Sequence, residues 1–167
     1  MTTYEPLDSK DQLILRLLQE DSRMTAEALS QRAYLSPSQC ARRKQRLEEA
    51  GYIVGYSVIV DADRVGLQVE AFIQVEMASH SRQNADDFRK LIRKRDEVTS
   101  VWTLTGKTDY MLRVFVTDLK ALNVFVQDIL LTHPAVVRVE SQIVMDRLKE
   151  NAPLPSAETH PVVKEVG

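Results

Sequence analysis

At 167 residues, with 44% apolar and 28% charged side chains, the chain can build one or two folded domains, which excludes a disordered polar tract. The 22 basic and 24 acidic residues leave a formal charge of −2, so no global cationic field points to nucleic acid, although the average can hide a local patch. No apolar run exceeds three residues and Cys40 is the single cysteine, which argues against a membrane span, a signal-peptide core, an internal disulfide or a cysteine metal cluster.

The chain changes character near residue 65. Residues 7–50 read as helix, and from residue 52 on short β-rich runs alternate with helical ones. We expect an α+β protein with a helix-turn-helix domain over 1–60, a linker over 61–67, a ferredoxin-like domain over 68–150 and a C-terminal tail over 151–167. The tail carries Pro153, Pro155 and Pro161 and few packable side chains. A first helix starts at Asp8, with Leu13, Ile14, Leu17 and Leu18 forming one apolar stripe. A short second helix follows Thr25, turns Ala28, Leu29 and Ala33 inward, and closes at Tyr34-Leu35. The third helix has the strongest start signal. Ser36 is its N-cap, Pro37 fits the first helical position, Gln39 completes a capping box, and Gly51 supplies the left-handed stop. Residues 52–60 then read as a strand or short hairpin in the position of a wing.

No acid stands between Glu27 and Glu48, while Arg32, Arg42, Arg43, Lys44 and Arg46 do. The helix start carries the short hydrogen-bonding side chains Ser36, Ser38 and Gln39. A recognition helix in a major groove needs this order, with its first turn at base edges and its later cations on phosphates. A solvated basic face is the bland alternative for the charge cluster alone; the turn, the capping box and the following β segment favour DNA. Cys40, seven residues before Leu47, reads as a small buried hydrophobe rather than a reactive thiol. Lys44 falls near that same face, where an apolar residue is expected, and its stem must snorkel out.

In the second half, Gln68–Met77 alternates: Val69, Ala71, Ile73, Val75 and Met77 on one face, Gln68, Glu70, Phe72, Gln74 and Glu76 on the other. A helix over 81–95 carries Phe88, Leu91 and Ile92. Strands are expected over 98–104 and 110–116, joined by a turn at Gly106-Lys107-Thr108-Asp109. Asp118 caps a helix bearing Leu122, Phe125, Val126 and Ile129, Pro134 stops it, and 136–145 is the last strand. The order β-α-β-β-α-β is the ferredoxin-like plan, with both helices on one sheet face. Phe72 on the other face suggests that a second subunit covers it, and a homodimer also suits a helix-turn-helix, whose half-sites lie about 34 Å apart.

These residues resemble the Lrp/AsnC family of transcriptional regulators, the leucine- and asparagine-responsive or feast/famine proteins. The resemblance spans about residues 7–150. It is carried by Leu7-Asp8-Ser9-Lys10-Asp11, Ile14-Leu15-Arg16-Leu17-Leu18-Gln19, Leu35-Ser36-Pro37-Ser38, Cys40, Arg43, Arg46-Leu47-Glu48-Glu49-Ala50-Gly51, Ile53-Val54-Gly55-Tyr56 and Thr105-Gly106-Lys107-Thr108-Asp109-Tyr110. It implies a winged helix-turn-helix that binds double-stranded DNA through Ser36, Ser38, Gln39, Arg42, Arg43 and Arg46. It further implies an ACT-like effector domain, a small-molecule effector such as an amino acid, and homodimers that assemble to tetramers or octamers. The implied location is the cytoplasm, on the nucleoid, and no membrane partner or cofactor is expected. The family's effector loop has the form Gly-Asp-x-Asp-Tyr. Here Lys107 replaces the first acid, and Gly106, Thr108, Asp109 and Tyr110 are the implied effector contacts. Asp109 can accept an ammonium and the backbone N–H groups near Gly106 can bind a carboxylate. Lys107 either adds a carboxylate contact or stays in water, and Trp102 either walls a pocket or packs in a core or interface.

His80, His133 and His160 are scattered, Ser36 and Ser38 are explained by capping, and no phosphate loop or metal spacing appears, so neither an enzyme nor a metal site is expected. Two other functions compete with a ligand-responsive regulator. One is a regulatory subunit that binds an amino acid and controls an enzyme. The other is an architectural protein with little preference between its best site and random duplex.

Overall fold

A computed structural model describes residues 6–78 and 82–155. They form two compact units, one of residues 6–58 with 148–155, the other of residues 59–147. This division falls beside the boundaries expected at 60 and 150. The first described tail residues return to the helical unit, where the Leu154 N–H donates to Gln19 Oε1 at 2.8 Å.

In the helical unit, α1 is Ser9–Glu20, α2 Ala26–Ala33 and α3 Pro37–Glu49. Local chemistry sets their ends. Asp8 and Asp11 form a reciprocal capping box on α1, Thr25 caps α2, and Ser36 with Gln39 forms the box on α3 behind Pro37. Tyr34 ends α2 in a left-handed conformation at φ 55°, held by Lys10, whose Nζ donates to the Ala33 carbonyl at 2.7 Å and lies 5.8 Å from the Tyr34 ring centre. Gly51 takes φ 75° after α3, the conformation that glycine enters without a Cβ clash. Ile14, Leu17, Leu18, Leu29, Ala33, Cys40 and Leu47 form the core.

No strand forms over 52–60. The first N–H groups of the segment, from Tyr52 and Ile53, both bond the Leu47 carbonyl and close the end of α3 instead of joining a ladder. β-rich composition makes a strand only where a second strand is in register, and none of the described residues offers one here. A cleft of about 1090 Å³ lies between α1, residues 52–57 and the returning tail, and none of its lining residues belongs to α3.

The second unit opens with a short 3₁₀ turn at Asp63–Val65. It continues as β1 (Val69–Met77), α4 (Arg82–Ile92), β2 (Val98–Thr103), β3 (Tyr110–Val116), α5 (Leu119–Val124) and β4 (Val136–Ile143). Ser81, the expected start of α4, lies with His80, His160 and Pro161 outside the described residues. The sheet is antiparallel in the order β2-β3-β1-β4, which the ferredoxin-like plan requires. Beyond α5 the helix widens into a π-helical stretch, Phe125–Leu130, closed by a bond from the Leu131 N–H to the Val126 carbonyl at 3.0 Å.

Alternation in β1 and β3 puts Ala71, Ile73, Val75, Tyr110, Leu112, Val114 and Val116 on the inner face, packed on Phe88, Ile92, Leu122, Phe125 and Leu130. Each large side chain buried there stabilises the unit by about 1.5–3 kcal/mol. Register aligns Trp102, Met111, Gln74 and Glu140 across the outer face, with Phe72 opposite Arg113 in the next row.

Candidate nucleic-acid interface and effector turn

Helix α3 presents three kinds of side chain. Cys40 and Leu47 are buried. Burial pushes the Cys40 thiol above its ordinary value against the nearby Arg43 charge, so it is a packed hydrophobe and a poor nucleophile. Ser36, Ser38, Gln39, Ala41, Arg42 and Gln45 are exposed, and Arg43, Lys44 and Arg46 are half-buried.

At the helix start, Ser36 Oγ accepts the Gln39 N–H at 3.3 Å and Gln39 Oε1 accepts the Ser36 N–H at 3.0 Å. The two hydroxyls of Ser36 and Ser38 lie 3.1 Å apart. The box therefore fixes Ser36 and the oxygen end of Gln39, while Ser38 stands on the outward side of the turn.

Arg43 and Arg46, expected among the phosphate contacts, have other partners. Asp11 on α1 is 0% exposed. Its Oδ1 accepts from Arg43 Nη1 at 2.7 Å and its Oδ2 from Arg46 Nη2, while Asp8 Oδ2 takes Arg43 Nη1 at 2.7 Å. The pair of carboxylates raises the Arg43 pKa further, chiefly through the Asp11 hydrogen bond. The Asp11 N–H above all holds the Asp8 carboxyl below its ordinary value; burial opposes it, and the Arg43 hydrogen bond and charge add to the lowering. A buried carboxylate needs such partners, because an isolated charge is costly to desolvate. Two of the basic side chains thus fasten α3 to α1.

Lys44 is resolved differently. Its Nζ sits 5.1 Å from the centre of the Tyr56 ring, and the Tyr56 hydroxyl donates to Glu48 Oε1 at 2.6 Å. Burial and the Glu48 carboxylate push that hydroxyl up to about 12. Arg32, which precedes α3, pairs with Glu20 at 2.9 Å.

In the second unit the turn between β2 and β3 brings Thr108 and Asp109 against β1. Thr108 Oγ1 donates to Gln74 Oε1 at 3.0 Å, and Asp109 Oδ2 accepts the Met77 N–H at 2.8 Å. Gly106 at φ 112° and Lys107 are exposed. Tyr110, expected among the effector contacts, is turned the other way. Its ring is in the core, 4.8 Å from the Phe88 ring, because strand alternation puts it in phase with Leu112. Trp102 is neither core nor enclosed wall: it is 44% exposed on edge strand β2, on the outer face. Gln74 escaped the sequence reading, although its place between Phe72 and Glu76 on the polar side of β1 put it on the same face. Among the described residues no group of His, Cys, Asp and Glu could hold a metal, and no helix is long and apolar enough to cross a membrane.

Residues 7–54 match the winged helix-turn-helix DNA-binding model and residues 70–154 the Lrp/AsnC ligand binding domain. The transcriptional regulator AzlB of Bacillus subtilis (strain 168) is 36% identical over 149 residues, covering 89% of this chain and 95% of its own. A transcriptional regulator from Neisseria meningitidis, solved as an L-Met complex, superposes with a TM-score of 0.87 at 39% identity, covering 93% of this chain and all of its own. An AsnC family transcriptional regulator from Agrobacterium tumefaciens superposes at 0.81 with 32% identity, over 89% of this chain and 97% of its own. With a helix-turn-helix in the first unit and a ferredoxin-like sheet in the second, this chain belongs to the Lrp/AsnC family of DNA-binding transcriptional regulators.

Proposed function

We propose that the protein binds specific DNA sites through the exposed side of α3 and adjusts that binding when its second unit takes up an amino acid or a related metabolite. The observation that carries the reading is the division of labour on α3: the buried Asp11 holds Arg43 and Arg46, while Ser38 and Arg42 are exposed on the same helix. Ser36 and Gln39 shape the start of that rod, and Arg43 and Arg46 set its angle.

We place the effector at the turn of Gly106, Thr108 and Asp109. Asp109 is an anion fixed by a backbone N–H, the complement of an ammonium group, and the exposed backbone around Gly106 suits a carboxylate. The binding of L-Met by the Neisseria relative supports an amino-acid effector. The active species is a homodimer or a larger assembly of dimers in the cytoplasm, associated with the nucleoid. Phe72, Met111 and Trp102 on the outer sheet face support it, since a sheet with helices on one side leaves the other for a partner. Effector and DNA are then linked through assembly, which sets how many recognition helices engage together.

A thermal-shift screen of the full chain over the amino acids tests the effector half. One class of ligand raises the melting temperature by the amount its affinity dictates, about 2.7 kcal/mol of stabilisation at a hundredfold excess over Kd. Asp109→Asn removes the anion, so the ligand-dependent rise disappears. A rise of unchanged size in the variant removes Asp109 from the site. For the DNA half, log affinity should fall against log salt with a slope of about −0.9 per phosphate contact. A flat salt response contradicts a groove-bound helix.

A further inference from the structure

We infer that Arg42 is the side chain through which α3 reads sequence, and that the base it selects is guanine. The inference rests on the DNA-binding reading above and adds which residue carries the specificity. Successive residues of an α-helix are about 100° apart. Measured from the inner face of Cys40 and Leu47, the opposite side of α3 is the stripe of Ser38, Ala41, Arg42 and Gln45, all exposed. The other three cations of the helix are engaged: Arg43 and Lys44 on its inner flanks, Arg46 at the edge of the stripe, with Arg43 and Arg46 on Asp11 and Lys44 over the Tyr56 ring. Arg42 is exposed and has no hydrogen bond, ion pair or ring contact among the described residues, so its five N–H donors are available to a ligand. A guanidinium held at a groove floor meets the O6 and N7 of guanine with two parallel hydrogen bonds, a match that no other base edge offers.

The stripe also bounds the footprint. From Ser38 to Gln45 the helix rises about 10.5 Å, close to three base pairs at about 3.4 Å each. Beyond Gln45 come Glu48 and Glu49, whose charges disfavour phosphate, and Gln45 Nε2 donates to Glu49 Oε1 at 2.8 Å. Each recognition helix therefore reads a triplet, with Ala41 suited to a thymine methyl beside the guanine.

The experiment selects binding sites for the full chain from random duplexes, then measures Kd at fixed salt for the selected site and its single-base variants. The expected half-site holds a guanine. Arg42→Ala weakens the selected site about ten- to hundredfold and flattens discrimination at that one base pair, while random duplex changes little. Arg42→Gln keeps a bidentate side chain and moves the preference there from guanine to adenine, an outcome that a merely structural role does not produce. Since Arg42 is exposed and unpartnered, the melting temperature of both variants stays that of the parent. A uniform loss on all duplexes, with the salt slope reduced by about 0.9, makes Arg42 a phosphate contact and overturns the inference. Absence of duplex binding by the parent chain instead overturns the DNA-binding reading on which the inference rests.

Discussion

Asp11→Ala is expected to unfold the helical unit near physiological temperature. The carboxylate is 0% exposed and takes a guanidinium from Arg43 and another from Arg46, besides the Asp8 N–H of its capping box at 3.2 Å. Removing one side of a buried ion pair costs about 3–5 kcal/mol, and losing half of a capping box adds up to about 1 kcal/mol. That loss is comparable to the whole stability of a small unit, which is about 5–15 kcal/mol. Calorimetry of the full chain should show the transition of the helical unit lowered or absent, while that of the ferredoxin-like unit persists. The triple replacement Asp11→Leu, Arg43→Met and Arg46→Met should regain most of the loss, since apolar groups of similar size replace a buried charge cluster at little cost. A single variant that melts within about 0.5 kcal/mol of the parent, the range of an ordinary surface change, contradicts the brace. The same logic governs DNA binding. Arg43→Ala leaves Asp11 with Arg46 alone, so its effect on a retardation assay reports the tilt of α3 before it reports any phosphate.

Elements whose signals are local were legible in the residues. Ser36, Pro37 and Gln39 act within one turn of helix, so the start of α3 follows from them directly. Period-two alternation fixed β1 and β3, and the order of elements then left one economical topology. What escaped was long-range pairing. Arg43 and Arg46 looked like free cations because their acids lie 32 and 35 positions away on α1. A hint was present, since Asp11 falls three residues before Ile14 on the apolar stripe, where an unpartnered acid is costly. Tyr110 shows the opposite failure. Its alternation with Leu112 and Val114 already placed it inside, and the resemblance of its loop outweighed that period. The 52–60 segment has strand composition without a strand to pair with, which composition cannot reveal.

Glu70 is the second buried acid among the described residues, and alternation assigned it to the outer face with Phe72, with no sign of its partners. It is 5% exposed, with Arg113 Nε at 2.5 Å and Arg147 Nε at 2.6 Å, the latter 77 positions along the chain. Both guanidinium groups lie against the Phe115 ring, at 5.0 and 5.9 Å, so the aromatic side chain dries the pair it supports. Burial by itself raises the Glu70 carboxyl, but the hydrogen bonds and charges of the two arginines outweigh it and leave the group below its ordinary value near 4.5. A carboxyl depressed on folding contributes stability that is full above the unfolded value and is lost as pH falls through the folded one. Glu70→Gln should therefore lower the transition of the ferredoxin-like unit by a constant amount above about pH 5, with the gap to the parent closing below pH 4.5. Glu70→Ala should cost about 3 kcal/mol, the lower end for a broken buried pair, because the arginine side chains are 30% and 38% exposed and can rehydrate. Thermal melts from pH 7 to 3 distinguish the cases, and a gap between parent and Glu70→Gln that is unchanged down to pH 3 contradicts the pairing. The pairing also bears on assembly. Glu70 lies on the outer sheet face with Phe72, and a carboxylate already neutralised by two arginines removes the cost of desolvating a free charge from the dimer contact proposed for that face. On the dimer proposed above, sedimentation of Glu70→Ala below its melting transition should show weaker association than the parent, because the cluster around Arg113 and Arg147 loses its buried carboxylate.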